Sequence, residues 1–220
     1  MTAELLQPLP ASRVQHMTEA AKEFQASLGD AGREYLEGRG LAEVAGAAGL
    51  GLVPGDTGPE WEKYKGMISI PYLTVDREVV GIRFRTIDPN DPRPKYLQPP
   101  GSETSIYNMV ALARNHKTII VTEGELDCLA LEALGYTAIG MPGANSWKPH
   151  YSRALDGFQK VIVAGDPDEA GQKFNETIMS PIRRATAMHL KQDINDTALK
   201  PGGFLEIAEA FSRAGGERDE

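Results

Sequence analysis

The sequence predicts an α/β fold in which a parallel sheet flanked by helices follows a small α+β N-terminal subdomain. Two observations predict the sheet. From residue 118 onward, short runs of strand length alternate with helical stretches, and most of these runs are largely apolar, which is typical of strands covered on both faces. A third observation predicts the N-terminal subdomain: helical stretches and two further β-prone runs precede residue 117. The length of 220 residues is enough for one full domain and a smaller one.

Composition and charge exclude several classes of protein. The 31 acidic residues outnumber the 23 basic ones, so the net charge of −8 argues against a protein that coats nucleic acid or an anionic membrane. A single cysteine, Cys128, excludes an internal disulfide framework and any zinc site with two or more cysteine ligands. No apolar run approaches 18 residues and the N-terminus lacks a basic signal region, so we expect a cytoplasmic protein with no membrane partner.

The first 116 residues divide into a helical segment, residues 1–58, and a β-rich subdomain, residues 59–116. Apolar residues recur at helical spacing over 12–28, and shorter helices are predicted over 30–37 and 41–48. Glycine and proline cluster over 49–59, which predicts a loop. Two β-prone runs, MISIPYLTV and EVVGIRFRTI, flank a predicted turn at Asp76 and Arg77. The proline-rich stretch that follows is neither a helix nor a central strand.

The second half consists of the predicted sheet domain, residues 117–203, and a C-terminal helix and tail, residues 204–220. Strands are predicted over 118–122, 136–141, 160–165 and 185–190. Helices are predicted after the first of these strands and over 169–184. The tail from residue 214 is polar. Cys128 lies in the first of these helices, where a buried small hydrophobic residue is the favoured interpretation over a nucleophile.

Acidic residues follow the predicted strands at the points where those strands end. Glu123 comes directly after TIIVT, Asp166 and Asp168 follow KVIVAG, and Asp193 comes just past the last strand. Because carboxyl ends of parallel strands meet at one edge, we expect these carboxylates to converge there. They would repel one another unless a hard cation such as Mg²⁺ or Mn²⁺ held them. The alternative is that they are loop residues and helix caps, with Asp168 starting the following helix.

Basic residues concentrate in one segment of this acidic chain. Arg83 and Arg85 alternate along a strand, so both project from one face, and Lys95 follows soon after. Between residues 77 and 95 five basic residues stand against three acidic ones. An arginine pair suits phosphate, and a solvated edge strand is the alternative. Lys148, next to Trp147, is a further candidate, with a solvated loop lysine as the alternative.

Other common catalytic motifs are not found in the sequence. It contains no GxxxxGK[ST] phosphate loop, no HExxH zinc motif and no GxSxG nucleophile elbow. The four histidines are scattered without the spacing of metal ligands.

Several segments of the chain resemble one known family. VTEGELDCLALEALG, VIVAGDPDEAGQKF and KQDINDTALKPG resemble the TOPRIM domain in its primase version, which DNA primases share with topoisomerases and some nucleases. Upstream, AGREYLEGRGL, ISIPYLTVDREVVGIRFRTI and PKYLQPPGSETSIYN resemble the primase RNA polymerase domain in the same order. The resemblance covers about 170 residues. A lysine expected after the KYL segment is replaced by Met109, and the usual zinc-binding module has no counterpart here.

The resemblance implies roles for residues at matching positions. Glu123, Asp166 and Asp168 would be catalytic and bind Mg²⁺ or Mn²⁺ together with Asp193. The basic residues Arg83, Arg85 and Lys95 would contact template or nucleotide. The implied function is a DNA primase catalytic core that makes short RNA primers on single-stranded DNA from ribonucleoside triphosphates. The implied partners are a replicative helicase and a separate zinc-binding template-recognition protein. A metal-dependent TOPRIM nuclease and an inactive accessory subunit that binds template or helicase are the alternatives.

Overall fold

The computed structural model describes residues 9–102 and 105–218. The first eight residues of the predicted helical segment, Glu103 and Thr104 of the proline-rich stretch, and the last two residues of the predicted tail lie outside the described residues. The predicted boundaries at residues 58, 116 and 203 stay predictions. No helix in the described ranges is long and apolar enough to cross a membrane.

Three helices open the fold as the sequence predicts. They are α1 (Ala11–Ala26), α2 (Gly29–Gly38) and α3 (Ala42–Ala45). The apolar stripe of α1 is buried at Met17, Ala21 and Phe24. Helix α3 is a single turn and is shorter than predicted, because glycines follow it and Gly49 has the left-handed φ of +72° that ends a helix.

A four-stranded antiparallel sheet follows, in the order β1-β2-β3-β4. Its strands are β1 (Gly51–Leu52), β2 (Ile68–Leu73), β3 (Val79–Arg85) and β4 (Tyr96–Leu97). Strand β1 lies inside the predicted loop over 49–59, so that prediction is wrong at these two residues. The reason is tertiary: a Cβ atom on Gly51 would lie 2.2 Å from the carbonyl carbon of Phe24, so only glycine lets the chain pass this close to α1 and pair with β2.

The faces of β3 are those that the sequence predicts. Phe84 stacks on Tyr64 with ring centroids 4.0 Å apart, in a core cluster that also holds Phe24 and Trp61. Arg83 and Arg85 project from the opposite face. Strand β3 pairs with β2 on one side and β4 on the other, so the alternative of a solvated edge strand is wrong.

The second sheet is parallel, in the order β6-β5-β7-β8. Its strands are β5 (Thr118–Thr122), β6 (Ala138–Gly140), β7 (Lys160–Ala164) and β8 (Ala185–Ala187). The helices of this half are α4 (Glu125–Ala133), α5 (Glu169–Met179), α6 (Ile194–Ala198) and α7 (Gly203–Arg213). Helix α5 ends before the predicted residue 184, because Pro181 cannot donate the next backbone hydrogen bond.

Alternate residues of β5 and β7 enter cores on opposite faces of the parallel sheet. Ile120 and Ile162 pack into one cluster, whereas Val121 and Val163 pack into the other. The first cluster also contains Ile70 and Tyr72 from the antiparallel sheet. The prediction of a parallel sheet covered on both faces is therefore confirmed, and one core joins the two sheets.

Candidate active site

An acidic edge forms where the strands of the parallel sheet end. Glu123 directly follows β5, Asp166 follows β7, and Asp193 stands at the start of α6. These three residues line one cavity of about 350 Å³. The convergence predicted from strand order is confirmed for them, because β5 and β7 are hydrogen-bonded neighbours that run in the same direction.

The carboxylates of this edge disfavour one another's charge. Burial raises the pKa of Glu123 above its ordinary value, and the nearby charge of Asp166 raises it further. Burial likewise raises the pKa of Asp166, as do Asp193 and Asp168, while Lys95 lowers it. The edge therefore favours binding of a positive group.

Asp127 belongs to this edge, although it is not among the site residues predicted from the sequence. It lies one helical turn after Glu123 in the first turn of α4 and lines the same cavity. Its Oδ1 accepts a hydrogen bond of 2.9 Å from the backbone N–H of Asn195. Burial raises the pKa of Asp127 to about 7, with smaller contributions from Asp193 and Asp166. The spacing of four residues in EGELD was the available signal, because it places both acids at one end of a helix.

Two of the predicted acids cap helices. The Oδ1 atom of Asp168 accepts the N–H of Gly171 at 2.8 Å, and that of Asp193 accepts the N–H of Asp196 at 2.6 Å. Asp168 is exposed and is not among the residues that line the cavity. Its capping role matches the alternative interpretation, while its charge still raises the pKa of both Glu123 and Asp166.

A basic wall from the antiparallel sheet faces the acids across the cavity. Arg83, Arg85 and Lys95 all line it, as the sequence predicts for one face of β3 and the segment after it. Arg85 is 5% exposed and donates from Nε to the Tyr35 hydroxyl at 2.6 Å and from Nη1 to the Tyr96 hydroxyl. Both partners are neutral hydroxyls, so the charge of Arg85 is not offset by them.

Arg83 differs from Arg85 because a buried acid pairs with it. Its Nη1 atom donates to Oε1 of Glu125 at 2.7 Å. Burial of Arg83 disfavours its charged form, but Glu125 offsets this and the pKa of the guanidinium lies above its ordinary value. Glu125 is not predicted from the sequence as a site residue, because nothing in the residues around it in α4 indicates this partner.

A second contact between distant parts of the chain also lies at this cavity, which Arg39 and Asn195 both line. The Nη1 atom of Arg39 donates to Asn195 Oδ1 and to Asp196 Oδ1, both at 3.3 Å. In return, Asn195 Nδ2 donates to the backbone oxygen of Arg39 at 2.8 Å. Arg39 and Asn195 are 156 residues apart in the chain, so no local pattern links them.

Three other residues singled out from the sequence lie elsewhere. Lys148 precedes a 3-10 helix at Pro149–Leu155 and is not among the described residues that line the cavity. Met109 begins another 3-10 helix and packs against the core of the parallel sheet. Cys128 is buried, as predicted, and burial raises the pKa of its thiol.

The donor set of the acidic edge fits a hard divalent cation. Within residues 9–102 and 105–218, no three His, Cys, Asp or Glu side chains stand close enough together to hold a metal ion. Mg²⁺, however, commonly binds one or two carboxylates and completes its coordination with water and substrate phosphates. Glu123 and Asp166, with Asp127 and Asp193 nearby, meet that requirement.

Comparison with known proteins identifies the family. A Toprim-like family profile matches residues 120–198. The Gene 57 protein of Mycobacterium phage D29 is 34% identical over 145 residues, which are 63% of this chain and 94% of that protein. The chain belongs to the Toprim family. Among longer relatives of this Toprim protein, a DNA primase of Clostridium acetobutylicum is 24% identical over 146 residues, which are 63% of the chain but only 24% of that primase.

Solved structures extend the likeness beyond the Toprim segment. The RNA polymerase domain of Mycobacterium tuberculosis primase DnaG, in complex with a double-stranded DNA oligomer with a 6-nucleotide overhang, is 20% identical and has a TM-score of 0.75. The match covers 93% of this chain and 81% of that chain. The Toprim protein therefore has the primase version of the fold, and the family resemblance and fold class predicted from the sequence are confirmed.

Proposed function

We propose that this chain is a DNA primase catalytic core, a nucleotidyltransferase that joins ribonucleotides into short RNA primers on single-stranded DNA. One observation carries the proposal: Glu123, Asp127 and Asp166, at the edge of the parallel sheet, line the same cavity as Arg85 and Lys95 from the antiparallel half. Primer synthesis needs both walls, because the acids suit a metal and the cations suit phosphate. The family membership and the primase fold support the same function.

In this proposal the acids hold Mg²⁺ or Mn²⁺, and no zinc is required. Glu123 and Asp166 would bind the metal, with water and substrate phosphates completing its coordination, and Asp193 and Asp127 would lie beside it. When bound, the metal lowers the pKa of the attacking 3′-hydroxyl and neutralises charge on the phosphates. Asp168 shapes the edge by capping α5 and adds negative charge beside Glu123.

The basic wall would hold the phosphates of the nucleotide or template. Arg85 is oriented by Tyr35 and Tyr96, so its remaining donor groups are already positioned when substrate arrives. Lys95 is exposed and close enough to Asp166 to lower the pKa of that acid. Together they offset the repulsion between the acidic edge and an incoming triphosphate. Asp127, whose pKa is about 7, can gain or lose a proton at its carboxylate near neutral pH.

The proposed partners follow from this activity. They are single-stranded DNA template and ribonucleoside triphosphates, with a replicative helicase and a separate zinc-binding template-recognition protein as protein partners. The proposed location is the cytoplasm of a bacterium or of a phage-infected host, consistent with the phage relative.

A primer-synthesis assay tests the proposal. The purified chain is incubated with single-stranded templates of varied sequence, labelled ribonucleotides and Mg²⁺ or Mn²⁺. We expect template-dependent RNA products, and a loss on the order of 10²–10³-fold in Glu123→Gln and Asp166→Asn, because these acids act on charge that develops in the transition state. Asp156→Asn is the matched control, since Asp156 is exposed, pairs with Arg184 and does not line the cavity.

The same reaction separates the competing functions. Undiminished synthesis by Asp166→Asn would overturn the assignment of the site. Cleavage of an end-labelled template without extension would indicate a Toprim nuclease. Template binding without synthesis by the unsubstituted chain, with or without the helicase, would indicate an accessory subunit.

A further inference from the structure

A buried carboxylate of the Toprim half, residues 117–203, accepts hydrogen bonds from two side chains of the antiparallel sheet. Glu125 lies in the first turn of α4 and its side chain is 1% exposed. Its Oε1 atom accepts from the Tyr72 hydroxyl at 2.6 Å and from Arg83 Nη1 at 2.7 Å. A buried carboxylate is costly unless it is paired and hydrogen-bonded, so Glu125 favours the arrangement in which β2 and β3 dock against α4.

Arg83 connects Glu125 to the residues of the basic wall, because it contacts Tyr96. Its guanidinium carbon lies 4.2 Å from the ring centroid of Tyr96, and that of Arg85 lies 4.9 Å from the same centroid. The Tyr96 hydroxyl also accepts a hydrogen bond from Arg85. A continuous series of contacts therefore runs from Glu125 through Arg83 and Tyr96 to Arg85.

Charge separates the roles of the two arginines. Glu125 offsets the charge of Arg83, so the pair brings no net positive charge to the cavity. The hydrogen-bond partners of Arg85 are two tyrosine hydroxyls, and its charge remains available to phosphate. Although both arginines project from the same face of β3, only Arg85 has the electrostatics of a phosphate contact.

We propose that Arg83 is a positioning residue: the Arg83–Glu125 ion pair sets the position of the basic wall relative to the acidic edge, and Arg83 does not itself contact nucleotide or template. The inference rests on the proposed function for its catalytic consequence. Its structural consequence, the fixed placement of one sheet against the other, can be measured without any activity.

Four variants test the proposal in the full chain: Arg83→Gln, Glu125→Gln, the double variant Arg83→Gln with Glu125→Gln, and Arg83→Lys. The matched control is Arg114→Gln. Arg114 pairs with Glu132, which lies in α4 as Glu125 does, and neither Arg114 nor Glu132 lines the site cavity. Melting temperatures establish that each variant folds. If either single variant does not fold, the double variant Arg83→Met with Glu125→Met is used in its place, because this double variant leaves no unpaired buried charge.

Binding of fluorescent single-stranded DNA at several salt concentrations distinguishes positioning from contact. Loss of one phosphate contact lowers the slope of log K against log salt by about 0.7 for a single strand. We expect no change of slope in Arg83→Gln or Glu125→Gln. We expect kcat for primer synthesis to fall by about 10- to 100-fold in both, because a misplacement of about 1 Å is enough for such a loss.

The double variant should be no slower than the slower single variant, and Arg83→Lys should recover part of the rate. A lower salt slope with a higher nucleotide KM in Arg83→Gln, but not in Glu125→Gln, would show direct contact and overturn the proposal.

A distance measurement keeps this test independent of catalysis. Spin labels on cysteines introduced at Asp56 and Glu176, which are exposed on opposite halves, report the placement of one half against the other. The native Cys128 is buried and does not compete for the label. We expect the distance distribution to broaden in Arg83→Gln and Glu125→Gln and to stay narrow in Arg114→Gln. Unchanged distributions in all three would overturn the positioning role, whether or not the unsubstituted chain makes primers.

Discussion

At the scale of single residues, the acidic edge is a set of carboxylates that are unfavourable to one another until a cation is present. Glu123, Asp127 and Asp166 all have pKa values above the ordinary range, with burial as the largest cause in each. Proteins retain such mutual repulsion where it serves binding or chemistry. The acidic edge therefore lowers the stability of the metal-free chain and favours binding of a positive ligand.

Removal of one of these charges should stabilise the metal-free chain at alkaline pH. Asp127 titrates near 4 when unfolded and at about 7 when folded, so its destabilising effect is absent below about pH 4, grows as the pH rises and is complete above pH 7. Asp127→Asn keeps an oxygen that can accept from Asn195. We expect its melting temperature in EDTA to exceed that of the unsubstituted chain by at least about 2 °C at pH 8, about what 1 kcal/mol produces in a domain this size.

Calorimetry at pH 4 and pH 8 checks this expectation. The difference should be much smaller at pH 4, where the acid is protonated in the folded chain and about half protonated in the unfolded chain. Asp156→Asn, at an exposed position, should give no comparable rise at pH 8. An Asp127→Asn melting temperature below that of the unsubstituted chain at pH 8 would contradict the sign of the effect.

At the scale of elements, the loop between β7 and α5 is held by close packing and by a cap. A Cβ atom on Gly171 would lie 2.0 Å from the backbone oxygen of Asp166, so the glycine allows the first turn of α5 to lie directly against that loop. Asp168 then accepts the Gly171 N–H. The geometry of Asp166 therefore depends on how α5 begins.

Substitutions of Asp168 separate its role as a cap from its charge. Asn can cap a helix about as well as Asp, whereas Ala cannot, so Asp168→Ala should lose about 1 kcal/mol of unfolding free energy and Asp168→Asn only a few tenths. Denaturant titration measures both. Because Asp168 does not line the cavity, we also expect Asp168→Asn to retain more primer synthesis than Asp166→Asn. Equal destabilisation by Asn and Ala would show that the cap is unimportant.

At the scale of the whole molecule, the two sheets bring opposite charges to one cavity in a chain whose net charge is −8. The parallel sheet supplies the acids and the antiparallel sheet supplies Arg85 and Lys95. A shared core joins the two halves of the chain, as do polar contacts that include those of Glu125 with Arg83 and Tyr72 and that of Arg39 with Asn195. Net charge is therefore a poor guide to what this surface can bind.

The exposed Lys95 should account for part of the salt dependence of template binding. Lys95→Ala is expected to weaken binding of single-stranded DNA and to reduce the slope against log salt by about 0.7, the amount for one phosphate contact. Fluorescence anisotropy from low to moderate salt provides the measurement. Lys160→Ala is the control, because Lys160 begins β7 and so lies at the opposite end of the parallel sheet. An equal change of slope in both variants would assign the effect to overall charge.

Sequence periodicity predicted most of the elements because each depends on neighbouring residues. The strand at Thr118–Thr122 and the shared face of Arg83 and Arg85 follow from the order of side chains alone. Strand β1 was missed because Gly51 belongs to a strand only through its contact with α1 and its pairing with β2. The end of α5 was placed too late because the pattern extended past Pro181.

For the site, the sequence by itself determined which acids stand at strand ends and which cations share a strand face, since both are local properties of the chain. The tertiary structure alone decided that Glu125 pairs with Arg83 and that Arg39 contacts Asn195, whereas the spacing of Glu123 and Asp127 was already a signal in the sequence. Arg83 and Glu125 are 42 positions apart in the chain, and Arg39 and Asn195 are 156 positions apart. These two pairings exist only because burial of a common core docks the two sheets, and no pattern within one element records which partner the other sheet will present.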